Sequence, residues 1–334
     1  MKHSIRPHFI TSILLMISIL AGGCGGYRSK APITRSGFYF DTLISITIYA
    51  YEDNSILDEC FNMCDRYEQL LSMTVEESDI SRINAAGTEP VYVSSDTVYL
   101  LEKAFEYRAL SEGRLDISVA PLSALWTKAR SSKTPPQDEE IDSLIPLIGL
   151  EGFTVDAGNC CVSKSDPDAM LDIGALGKGY VADKLKEMLT NRGVTSAIIS
   201  LGGNILTIGS KPDGSDYHIG IKKPFSDNEA AVSLSISDKS VVTSGVYERY
   251  FINNDKLYHH ILDPETGSPC ETDLLSATII SDSSLDGDAL STICLLYGLD
   301  GAMDLINKTP GVEAILISQD NKLHCTGGAE SYLQ

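Results

Sequence analysis

Between residues 170 and 183 the chain reads MLDIGALGKGYVAD, and no other stretch restricts the possible folds as much. An apolar, strand-like lead-in meets a turn holding Asp172, Gly174, Gly177, Lys178 and Gly179, and a helix-like run follows over 180–190. Glycine lets the backbone approach a ligand and present its N–H groups. The N-terminus of the following helix favours negative charge, and Lys178 adds a mobile cation. That is the grammar of a phosphate-binding turn. The spelling matches neither a Walker A loop nor the dinucleotide fingerprint G-x-G-x-x-G. An ordinary glycine-rich strand-to-helix turn is the plain alternative, and the stretch alone leaves both open.

The first residues concern address rather than fold. Lys2 and Arg6 precede an apolar run over 9–20, which meets Ala21-Gly22-Gly23-Cys24. These are the parts of a secretory signal. The run is shorter than the roughly 20 residues that cross a bilayer core. The closing cysteine gives the segment the look of a bacterial lipobox, although Leu20 stands one position further from Cys24 than that pattern prefers. We expect residues 1–23 to be a removed signal peptide, Cys24 to be lipidated, 24–35 to be a polar tether and 36–334 to form the folded domain. An uncleaved anchor is the alternative. The expected location is the bacterial cell membrane, lipid-anchored and facing the extracytoplasmic side.

A formal net charge of −20 argues against a nucleic-acid partner, because phosphate neutralisation needs clustered Lys and Arg. Hydrophobic content of 43% and charged content of 22% are globular values. After Cys24 come Cys60, Cys64, Cys160, Cys161, Cys270, Cys294 and Cys325, an odd number, so pairing would leave at least one thiol free. Their spacing fits no zinc site, and burial as small apolar residues accounts for most of them.

Periodicity predicts a strand over 38–51, helices over 58–72 and 94–112, and a short helical turn over 76–84. Residues 113–126 read as an extended stretch broken at Pro121, and 131–140 as a loop. A short helix follows over 141–150, then hairpin strands at 160–162 and 170–173, and a helix over 180–192. Further strands are expected over 197–208 (broken at Gly202-Gly203), 217–224, 231–237, 240–242, 247–253, 257–261, 274–281, 314–318 and 323–326. Helices are expected over 288–296 and 301–308. Without strict βα alternation this is an α+β chain, with mixed, largely antiparallel sheets and flanking helices.

Asp288 and Thr292 are one helical turn apart and share a face. A carboxylate and a hydroxyl so placed suit Mg²⁺, a hard cation that water and phosphate oxygens complete. Alternatively Asp288 caps its helix, worth about 1 kcal/mol. His260 follows His259 before an Asp-Pro turn, and is either a general base or a hydrogen-bonded residue orienting the turn. Residues 243–250 (TSGVYERY) place hydroxyls at a strand end or form a sheet bend. Gly202 and Gly203 form either a ledge for a flat ligand or a bend, and Trp126 reads as core.

In order along the chain, SDISRIN (78–84), LD (115–116), APL (120–122), LDIGALGKGY (171–180), LGGN (201–204), TSGVYER (243–249), HILDPETG (260–267) and DALST (288–292) resemble the ApbE family of flavin transferases. The resemblance spans about 38–305 and implies an ApbE-like, T-fold-related architecture. It implies an enzyme that uses Mg²⁺ to cut FAD, releases AMP and attaches FMN to a Thr or Ser of an acceptor flavoprotein carrying D-x-x-[ST]-G-A-[ST]. Position by position it implies FAD contacts from Asp172 and Lys178, and metal ligation by the Ala175 carbonyl, Asp288 and Thr292. It implies a flavin site lined by Phe40, Met73, Leu115, Asp116, Ile117 and Ile261, and His260 as catalytic base. The usual Met-Gly-Thr of the first motif is Phe40-Asp41-Thr42 here.

Phosphoryl transfer asks for positioning and charge neutralisation, which a metal, Lys178 and a base supply. The alternatives are an FAD pyrophosphatase giving free FMN and AMP, and a non-catalytic flavin-carrying lipoprotein. The stretch 273–278 (DLLSAT) approaches the acceptor motif but lacks its glycine, so self-flavinylation is set aside.

Overall fold

The computed structural model describes residues 31–226 and 229–334. Residues 1–23, Cys24 and most of the expected tether therefore lie outside the described residues. The first strand begins at Ile33, inside the segment expected to be tether.

An eight-stranded antiparallel sheet organises the molecule. Its order is Ile33–Tyr39, Thr42–Ile48, Ala197–Leu201, Asn204–Ile208, Ser240–Gly245, Leu274–Ser281, Glu313–Ser318 and Leu323–Cys325. Neighbours in the sheet follow one another along the chain, so it is a meander with long excursions between strands. Side chains alternate between faces, and here both faces are apolar. Ile279 and Leu316 join a core shared with the helices, whereas Ile280, Ile315 and Ile317 pack under the hairpin of Tyr217–Lys222 and Ala230–Ile236. The result is three layers, and the α+β expectation holds.

Helices Ser55–Leu71, Ser95–Leu110, Gly177–Asn191 and Ser284–Asn307 fall where periodicity placed helical segments, with shifted ends. Ser94 caps the second, its hydroxyl accepting from Thr97 N at 3.1 Å. Four buried cysteines, Cys60, Cys64, Cys270 and Cys294, pack as apolar residues, and burial pushes their thiols up to about 12.

Several expectations need correction. The strand over 38–51 is a hairpin, because Phe40 and Asp41 both take positive φ (53° and 56°) in a two-residue turn. Pro121 does not break an extended stretch; it sits in the first turn of helix Ala120–Ser132, where its missing N–H leaves no partner wanting. Residues 170–173 are not a strand, since Met170 makes only an isolated bridge to Val119; the hairpin is Phe153–Asp156 with Cys161–Lys164. The two helices expected over 288–308 are there, as segments of Ser284–Asn307 separated by the non-helical Gly298 (φ 71°); what was missed is that the first begins at Ser284, and at the break Asp273 accepts from Leu299 N at 2.8 Å. Of the two readings left open for Gly202 and Gly203, the bend is seen: at φ 56° and 100° they form a tight hairpin turn, with Gly202 packed on Thr42.

Candidate active site

The site begins where two helices touch. Helix Gly177–Asn191 starts earlier than expected, so Gly177, Lys178 and Gly179 form its first turn and the loop proper is 172–176. Asp172 closes that loop, its Oδ1 accepting from Gly174 N at 2.9 Å while its own N–H donates to Ile117 O at 2.7 Å. At Gly179 the backbone of Ser284 and Leu285 leaves no room for a side chain. One turn on, Asp183 accepts from Ser283 Oγ (3.0 Å), Ser284 N (2.8 Å) and Leu285 N (3.0 Å). This clamp carries Asp288 to the loop: its Oδ2 accepts from Gly179 N at 2.9 Å, and its Oδ1 lies 3.6 Å from Lys178 Nζ. The cap reading of Asp288 is thereby overturned, because the helix begins at Ser284 and Ser283 Oγ caps it through Asp286 N at 3.1 Å.

The donors here suit Mg²⁺. Thr292 Oγ1 lies 3.3 Å from Asp288 O and 3.4 Å from Ser244 Oγ, and Ser244 is bonded to Ser291 at 2.8 Å. Gly179 N, which would ordinarily turn back to Ala175 O, is given to Asp288 instead. Among the described residues nothing donates to the Ala175 carbonyl. A carboxylate, a hydroxyl and an unpartnered carbonyl are all hard oxygen donors. Among the described residues there is no cluster of three or more His, Cys, Asp or Glu, so water and phosphate would complete the shell.

Asp172 also lines a cleft that runs past His260 to Arg130 and Arg249, with Trp126, Phe251 and Tyr258 as its aromatic wall. Trp126 is both core and wall: its Nε1 donates to Gly267 O at 2.8 Å. His260 has no hydrogen-bond partner among the described residues, whereas His259 is buried and its Nδ1 accepts from Ile261 N at 3.3 Å. The turn's hydrogen bond thus belongs to His259, and the ring nitrogens of His260 are left unengaged among the described residues.

Both imidazoles are held neutral. For His260 desolvation by the surrounding protein leads, followed by the positive charges of Arg249, Lys178 and Arg130. Burial pushes His259 down to about 4. Unfolding releases His259 to about 6.5, so the unfolded chain binds more protons and stability falls as pH drops from about 6.5 towards 4. His259→Gln is expected to flatten that decline by up to about 1.4 kcal/mol per pH unit, one proton's worth. Urea denaturation across this range checks it, and an unchanged slope would count against a neutral buried His259.

The residues expected around the flavin are partly gathered. Leu115, Ile117 and Ile261 are buried, and Ile117 O ties their loop to Asp172. The Asp116 carboxylate is spent inside the protein, accepting from Arg108 Nε (2.6 Å), Ser118 N (2.8 Å) and Leu150 N (3.1 Å), so it offers a ligand no free charge. Phe40 lies in the first hairpin turn, its N–H donating to Glu68 Oε1 at 2.7 Å, and Met73 is half-buried against the same core. Sequence reasoning missed Asp183, Arg130 and Arg249. Asp183 stands i+4 from Gly179, a spacing that could have revealed it; Arg130 lies in the second half of helix Ala120–Ser132, whose first half was read as extended chain.

The ApbE family model matches residues 40–316. An FAD:protein FMN transferase of Klebsiella pneumoniae is 34% identical over 282 residues, covering 84% of this chain and 87% of that protein. One from Treponema pallidum is 31% identical over 335 residues, covering 95% and 92%. Among solved structures, the ApbE protein of Thermotoga maritima superposes with a TM-score of 0.82 at 26% identity, covering 91% of this chain and 100% of that one. The flavin transferase ApbE of Vibrio cholerae gives 0.79 at 25% identity, with the same coverage.

Proposed function

The chain belongs to the ApbE family, and we propose from this that it transfers FMN from FAD to a Thr or Ser hydroxyl of an acceptor flavoprotein. Asp172 and Lys178 would hold the nucleotide, and Ala175, Asp288 and Thr292 would hold Mg²⁺. When bound, the metal would neutralise pyrophosphate charge and favour departure of AMP. His260 would take the acceptor hydroxyl's proton as its oxygen bonds to the FMN phosphorus and the bond to AMP breaks. A neutral imidazole is the form that can accept that proton. The observation that carries this reading is the placing of one buried carboxylate, Asp288, against both the glycine turn and Lys178.

Purified protein, FAD, Mg²⁺ and an acceptor domain carrying D-x-x-[ST]-G-A-[ST] should give an in-gel fluorescent acceptor and AMP. AMP with no labelled acceptor would point to the pyrophosphatase, and neither product to a flavin carrier. Self-labelling finds no support: Ser276 and Thr278 are wholly buried in a central strand. We further propose that Cys24 is lipidated and tethers the domain outside the cytoplasmic membrane; a mass on Cys24 unaltered by globomycin would refute this.

A further inference from the structure

Among the described residues, Arg35, Arg66, Arg82, Arg108 and Arg192 each pair with a carboxylate, and Arg114 donates to the Leu296 carbonyl. Arg130 and Arg249 alone have no hydrogen-bond or ion-pair partner, and both line the His260 cleft. In a chain of net charge −20 unpaired guanidinium groups are not for want of acids. The hairpin that follows Arg249 continues the surface. Phe251 turns inward and stacks on Tyr258 at 5.0 Å, while Tyr250 (37% exposed) and Ile252 (58%) face outward, and Phe225 (52%) sits edge-on to Tyr250 at 5.5 Å. Arginine beside exposed aromatic and aliphatic side chains is the composition of a protein-binding surface.

We propose that this cleft and its rim dock the acceptor protein, with Arg130 and Arg249 gripping an acidic segment beside the hydroxyl that receives FMN. The inference rests on the transferase reading. Charge complementarity selects the occupant. Lys178 and the Ala175–Asp288–Thr292 donors already answer for the pyrophosphate; neither Lys178 nor Asp288 lines this cleft, and Asp172, the other proposed nucleotide contact, does so and marks where the cleft meets the nucleotide. An acceptor hydroxyl must reach His260, which does line it, so chain flanking that hydroxyl passes between the guanidinium groups. Guanidinium–carboxylate pairs are directional and fix register as well as affinity.

The test uses the Arg130→Glu/Arg249→Glu double variant with FAD, Mg²⁺ and an acceptor domain, reading acceptor KM and, separately, FAD affinity by flavin fluorescence. Acceptor KM should rise about tenfold or more, the loss of one to two charge-assisted pairs, with FAD affinity unchanged. An acceptor whose acidic residue near the modified hydroxyl is changed to lysine should regain part of the loss with the variant. Arg130→Lys/Arg249→Lys should be intermediate, retaining charge without the fork. Loss of FAD affinity with acceptor KM unmoved would overturn the proposal by assigning the arginines to the nucleotide, leaving the transferase reading intact. A wild-type chain that releases AMP but labels no acceptor would remove both.

Discussion

Asp288→Asn is expected to lower FMN transfer by about 10³-fold or more while leaving the fold intact. Asparagine keeps the volume and an oxygen for the Gly179 N–H, so the contact between the helices survives. What it removes is the negative charge, the one carboxylate among the proposed metal donors, and the partner of Lys178. Asp288→Ala should lose as much activity and be less stable by a further 1–3 kcal/mol or so, because the Gly179 N–H would then be buried without an acceptor. Thermal unfolding separates the two variants, and AMP release measured with and without Mg²⁺ gives the catalytic term. Either variant working at full rate in EDTA would sink the metal assignment.

Gly179→Ala carries the largest expected effect on stability. In an exposed helix interior this change gains about 1 kcal/mol. Here the added methyl would run into the Ser284 carbonyl and lie 2.7 Å from Leu285 Cα, both backbone and unable to swing away. We expect a loss of about 3 kcal/mol or more, by forcing apart the helices that carry Lys178 and Asp288. Urea denaturation gives the sign directly, and a variant as stable as wild type would mean the helices do not meet as described. FAD affinity should fall alongside stability, since the two halves of the site separate together.

Much of this was legible in the sequence where local chemistry decides structure. Strand Leu274–Ser281 matched its expected span, because a run of β-branched and apolar residues fits a strand buried on both faces. The helical spans expected over 94–112 and 76–84 hold helices Ser95–Leu110 and Asp79–Ala85, each capped in the ordinary way by a serine, Ser94 and Ser78. What failed depended on distant partners. The cap alternative for Asp288 stayed open because helix periodicity cannot show that the chain is already helical at Ser284, held there by Asp183 from another helix. Residues 170–173 read as a strand because they are apolar, yet they pack as irregular chain whose Asp172 N–H is satisfied by Ile117 O. The glycine turn was recognisable as chemistry before its geometry was, since Lys178 and the glycines mark a ligand site whichever residue begins the helix.

The meander has a consequence for when the protein becomes competent. Strands of the main sheet pair with their neighbours in chain order, some as local hairpins and others, such as Thr42–Ile48 with Ala197–Leu201, only across a long excursion. The Gly179–Asp288 bond likewise joins residues 109 apart, and its closure waits on helix Ser284–Asn307. Contacts of such long sequence separation form late, because their loop entropy is repaid only when much else is in place. A nascent chain ending before residue 284 would hold Lys178 with no carboxylate to face it. The active site is thus a checkpoint on its own folding: a chain that stops short of Asp288 carries only one half of it.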